Sequence, residues 1–140
     1  MKKIILLLFF PFMVNAQKPA NNKAEVKKDS AGTAPKPIMN KAKQAAFQRI
    51  QGYRQRVLLG ENMGTLARLY SEDPGSKQDG GMYRNVTRGQ MDVVFENVAF
   101  SLKPGGISKI FETEFGFHFI RLVARRGEVI DLQQILVTTK

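Results

Sequence analysis

The chain has 140 residues, no cysteine and one histidine, His118, which excludes disulfide scaffolds, thiolate zinc sites, thiol nucleophiles and any His-pair metal site. Its 22 Lys+Arg against 12 Asp+Glu give a net charge of +10, with 43% hydrophobic and 24% charged residues, the composition of one soluble domain plus a tail. Half of that charge lies outside the expected domain: residues 39–140 carry +5, with no basic–aromatic interleaving, so a nucleic-acid groove is not expected.

Lys2 and Lys3 precede an apolar run at 4–14, followed by Val14-Asn15-Ala16 and Gln17. The run has signal-peptide length and is too short for a transmembrane helix, so residues 1–16 read as a cleaved secretory signal, with a retained membrane anchor as the alternative. Without a cysteine after the cleavage site, a lipoprotein is not expected. Residues 17–38 hold Lys, Ala, Asn and Pro with almost no large apolar groups and read as a flexible linker. Residues 39–140 form the folded domain.

Ala46, Ile50, Tyr53 and Val57 recur at helical spacing and predict a helix over 41–59, capped by Asn40 and ended by Gly60. Asn62 caps a second, short helix from Met63 to Tyr70. Residues 71–81 are loop by composition. A third helix is expected over 92–102, with Asp92 in its first turn and Val94, Phe95, Val98, Ala99 and Leu102 as core candidates. Pro104-Gly105-Gly106 is a turn. Strands are expected at Ile107–Glu112, Phe117–Val123 and Val129–Thr138, with a polar turn at 125–128. Period two places Ile130, Leu132, Gln134 and Leu136 on one face, so a polar residue sits in phase with three apolar ones. Helices followed by strands with short turns imply an α+β fold with an antiparallel sheet.

The ordered segments YSEDPGSKQDGG (70–81), RGQM (88–91), LKPGGIS (102–108) and FETEFGFHFIRL (111–122) resemble the parvulin-type peptidyl-prolyl isomerases, especially secreted Gram-negative members. The resemblance runs over about 41–123 in the family's order. It implies helices flanking an antiparallel sheet, a peptidyl-prolyl isomerase active in the periplasm, no cofactor and no metal. The implied partners are proline-containing segments of unfolded exported proteins. By the same resemblance Met91 and Phe95 match the proline pocket, Tyr83 an apolar wall position usually held by Leu, and Gln90 a residue contacting peptide backbone. Arg88 borders the groove. Asp73 matches the Cys/Asp position, and Thr113 and His118 the polar side. On their own, Met91 and Phe95 also fit an ordinary core helix start, His118 a structural hydrogen-bonding residue, and Asp73 the cap of the Pro74-Gly75 turn.

Three departures stand out. The family's first strand, ending His-Ile-Leu-Val, has no counterpart before residue 41; Gln134-Ile135-Leu136-Val137 resembles it at the C-terminus, with Gln for His. The expectation is a strand folded back beside 117–124 in the same chain, with exchange between two chains or a missing second unit as alternatives. Gln134 keeps hydrogen-bonding capacity and cannot become cationic, so activity is expected to be reduced, and a peptide-binding module without meaningful catalysis is the alternative function. Lastly, no basic loop follows that strand, so phospho-specific recognition is not expected, while Arg84 in the groove wall implies a narrowed site or an acidic-substrate preference.

Overall fold

The computed structural model describes residues 38–140; the signal and linker expectations up to residue 37 lie outside them. Three helices and four strands follow in the order α1 (Lys41–Leu58), α2 (Met63–Tyr70), β1 (Met82–Val86), α3 (Val93–Ser101), β2 (Phe111–Thr113), β3 (Gly116–Arg126) and β4 (Val129–Thr138). The fold is α+β, and its antiparallel sheet has the order β1-β4-β3-β2.

Each helix begins where a short polar side chain replaces the first missing hydrogen bonds. Asn40 accepts from the Lys43 amide at 2.8 Å, Asn62 from Thr65 at 2.9 Å, and Asp92 from Val94 at 2.9 Å and Phe95 at 3.3 Å. Such caps contribute about 1 kcal/mol each. Asp92 therefore stands one position before the helix, not in its first turn.

β-Alternation divides the core between the two sheet faces. Phe117 and Phe119 of β3 and Ile135 and Val137 of β4 pack against Ala46, Ile50 and Val57 of α1 and Met63, Leu66 and Ala67 of α2. Ile120, Leu122, Ile130 and Leu132 point to the other face and meet Phe95, Ala99 and Phe100 of α3. His118, Gln134 and Leu136 share this second face by register, which explains a polar Gln in an apolar phase.

β4 lies between β3 and β1 in the same chain, so the C-terminal strand closes the sheet internally. Two strand boundaries are corrected as well. Ile107 makes only an isolated bridge to Arg121, and the strand begins at Phe111, because residues 104–108 bond to β3 as a loop through Gly105, Gly106 and Ser108. The polar stretch 125–128 is not all turn: Arg125 and Arg126 continue the ladder opposite Ile130 and Val129, leaving Gly127-Glu128 as the turn, with Gly127 at φ 59°. β1 was not anticipated.

Candidate active site

The loop between α2 and β1 is tied onto β4. The buried Ser71 hydroxyl accepts from the Leu136 amide at 3.2 Å and the Asp73 amide at 3.4 Å. The Glu72 amide donates to the Leu136 carbonyl at 2.8 Å. This holds Asp73 beside the sheet face that carries Gln134 and His118. Further along, the Gly81 carbonyl accepts from the Gln134 amide at 2.8 Å.

A continuous hydrogen-bonded chain results. Tyr83 Oη and Gln134 Nε2 each donate to Asp73 Oδ2 at 2.8 Å, Ser76 Oγ also donates to it, and the Gly75 amide reaches Oδ1 at 3.3 Å. Gln134 Oε1 lies 2.9 Å from His118 Nδ1, and His118 Nε2 lies 2.7 Å from Thr113 Oγ1. The carboxylate of Asp73 only accepts, so the Gln134 amide nitrogen must face it and the amide oxygen must face the imidazole. That places the imidazole proton on Nδ1. Nε2 then accepts from the Thr113 hydroxyl, whose oxygen accepts from the Phe115 amide at 3.2 Å. Each polar group has a partner and a direction.

Electrostatics agree with this assignment. Burial pushes the His118 imidazole below its ordinary 6.5, against the opposing influence of the Gln134 bond and the charges of Asp73 and Asp92, so it is neutral at physiological pH. Burial pushes the Asp73 carboxyl up, but the bonds from Ser76, Tyr83, Gly75 and Gln134 together outweigh it and hold the group below the usual carboxylate range. Burial, then the Asp73 carboxylate, pushes the Tyr83 phenol up to about 12. Phe111 stacks on the His118 ring at 5.2 Å between centroids, and Phe95 meets it edge-on at 5.7 Å, so the ring is fixed on both sides.

Above this chain lies a cavity of about 480 Å³. Met91 and Phe95 reach it from the start of α3, Phe115 from the β2–β3 turn and Leu136 from β4, opposite the polar group of Asp73, Tyr83, Thr113, His118 and Gln134. Seven of the residues singled out from sequence thus surround one cavity. Two do not. Gln90 is exposed, its Oε1 accepting from the Thr87 amide at 3.1 Å, and the Arg88 guanidinium lies 4.3 Å from the Phe100 ring centroid; neither lines the cavity. Arg84 pairs with Asp79 and also stays outside the lining.

The sequence reading passed over Glu72, Pro74, Asp92, Phe115, Leu136, Thr138 and Lys140 of the lining. For Leu136 a signal existed: period two puts it on the face of Gln134. Phe115 carried none, because its exposed ring lies in a turn whose direction only the β2–β3 pairing fixes.

A family model described as Rotamase, PPIC-type PPIASE domain, matches residues 32–124 and stops before β4. The chaperone SurA of Nitrosococcus oceani is 41% identical over 80 residues, covering 57% of this chain and 19% of that protein. Foldase protein PrsA 4 of Bacillus cereus is 40% identical over 67 residues, covering 48% of this chain and 24% of that protein. The crystal structure of the peptidylprolyl isomerase PrsA from Bacillus cereus aligns with TM-score 0.55 at 33% identity, over 58% of this chain and 31% of that one. The matches therefore span about a fifth to a quarter of these two curated relatives.

Proposed function

Because the chain belongs to the PPIC-type rotamase family, the parvulin peptidyl-prolyl isomerases, we propose that it accelerates cis–trans isomerisation of X-Pro bonds in extended segments of exported proteins. The observation that carries this reading is the junction of an apolar cavity, walled by Met91, Phe95, Phe115 and Leu136, with the satisfied polar chain from Thr113 to Tyr83.

The barrier to rotating a peptide bond is about 18–20 kcal/mol because resonance keeps the amide planar and charge-separated. In the twisted transition state that resonance is lost and the carbonyl is less polar. An apolar enclosure therefore disfavours the planar amide more than the twisted one, and a site shaped to the twisted form binds it better. In this proposal Met91 and Phe95 grip the proline ring while the Thr113 and His118 side orients the bond. Asp73, Tyr83 and Gln134 keep His118 in one tautomer. No nucleophile or proton transfer is required. Arg88 and Gln90 have no part in it.

The relatives named as chaperone and foldase, together with the signal-like residues 1–16, support action on unfolded clients outside the cytoplasm, in the periplasm. Gln134 favours one second reading, a groove that binds peptide with little catalysis, because a cationic partner cannot form there. Exchange-spectroscopy NMR of a short X-Pro peptide tests both. Accelerated exchange that falls at least tenfold in Met91→Ala supports the isomerase. Perturbed peptide shifts without acceleration support the binding module, and an unchanged kcat/KM in Met91→Ala overturns the site.

A further inference from the structure

Among the described residues Glu96 is the only acid buried to below a tenth of its surface, at 8% exposed, and nothing in the isomerase reading uses it. It lies in the first turn of α3, where an acid ordinarily serves the helix's own free amides. Here Asp92 already does that, accepting from Val94 and Phe95. The Glu96 carboxylate instead points back out of the helix, and its Oε1 accepts from the backbone amides of Gln90 and Met91, both at 2.9 Å.

The loop it holds has little else. No backbone–backbone hydrogen bond joins residues 87–91 to the rest of the described fold. Gly89 turns through φ 88°, and Gln90 folds its side chain back onto the Thr87 amide. The Met91 amide bond fixes the Glu96 carboxyl below its ordinary range, with burial opposing and the Gly89 and Gln90 amides and the Arg88 charge assisting. The next group along is the Met91 side chain in the cavity, beside Phe95, which α3 itself positions.

We propose that Glu96 is a positioning residue: its carboxylate clamps the Gln90–Met91 backbone so that Met91 stands in the cavity at the distance a proline ring requires. The inference rests on the isomerase reading for what Met91 grips, while the clamp itself is a property of the loop. Met91 contacts the ring in both the planar and the twisted amide, so loosening it weakens both equally.

The test uses the full chain with Glu96→Ala and Glu96→Gln, checked by melting. Glu96→Ala is expected to raise KM for an X-Pro peptide by roughly tenfold with kcat held, the loss of two charge-assisted bonds. Glu96→Gln, which keeps a neutral acceptor, is expected to recover most of it. Amide hydrogen exchange reads the clamp without turnover: Gln90 and Met91 are expected to be protected in the wild type, less in Glu96→Gln, and unprotected in Glu96→Ala. A merely structural role would lower apparent kcat through a smaller folded fraction and leave KM unchanged, which overturns the proposal. Rapid exchange of both amides in the wild type also overturns it. Protected amides and Glu96-dependent peptide affinity in a protein that does not accelerate isomerisation would uphold the clamp and remove the isomerase reading alone.

Discussion

His118 and Gln134 lie side by side at 4% and 5% exposure, and what they can do follows from what they cannot exchange with water. Gln134 does not titrate. His118 titrates below its ordinary 6.5 because burial disfavours the imidazolium. Between the lowered folded value and 6.5 the unfolded chain binds a proton that the folded chain refuses. Stability therefore rises with pH across that window and is fully present above it. Asp73 acts in the same direction lower down: its carboxyl is held below 3.8, so stability is lost as pH falls through that range. Since the chain has one histidine, the upper step belongs to His118. Melting temperature is expected to be level from about pH 7 to 9 and to fall as pH drops from 7 to 5. His118→Gln should flatten that fall. A wild-type melting temperature unchanged between pH 7 and 5 would show that the imidazole is not held neutral.

At the scale of elements, the approach of β1 to β4 depends on Gly81. It has φ 80°, and a Cβ there would collide with the Gln134 carbonyl oxygen and press on the Ala67 methyl. Gly81→Ala therefore combines backbone strain with a clash against the strand that carries the site, and should destabilise by about 2–3 kcal/mol. Denaturant unfolding reads this as a lower midpoint with unchanged slope; a midpoint equal to wild type would mean β1 can withdraw at no cost. β1 is also the element least legible in the sequence. Of Met82–Val86 only Val86 is buried, the register shifts between Tyr83 and Val86, and Asn85 takes φ 55°, so no alternation appears. The helices were legible because Asn40, Asn62 and Asp92 announce their starts and apolar residues repeat at helical spacing. β4 was legible from its own period, and its phase already placed Gln134 on the face of Leu136. What the sequence withheld was contact between distant segments. Arg88 and Gln90 sit in the segment adjoining Met91, yet the turn at Gly89 leaves them outside the cavity.

Across the whole molecule, charge is distributed against the average. Residues 39–140 are net basic, yet the cavity lining holds Glu72, Asp73 and Asp92 against Lys140. Arg49 neutralises Glu72 at 3.0 Å, while Arg84 pairs with Asp79 and Arg88 lies on Phe100, so neither arginine faces the cavity. Both charges that act on His118, from Asp73 and Asp92, are negative. With Arg84 outside the lining, no acidic-substrate preference is expected from it, and Asp73 and Asp92 are expected to oppose the anion that a phosphorylated residue before proline would bring. A phosphate carries about −1.5 to −2 charges at pH 7, and in a partly desolvated groove two like charges are weakly screened. A phosphoserine-proline peptide is expected to show at least tenfold lower kcat/KM than its serine-proline counterpart at low salt. The gap should narrow in Asp92→Asn and as ionic strength rises, because the Debye length contracts to about 8 Å near 0.15 M. Equal rates for the two peptides at low salt would mean that the residue before proline projects away from Asp73 and Asp92 into solvent. In that case the apolar walls alone would select the substrate.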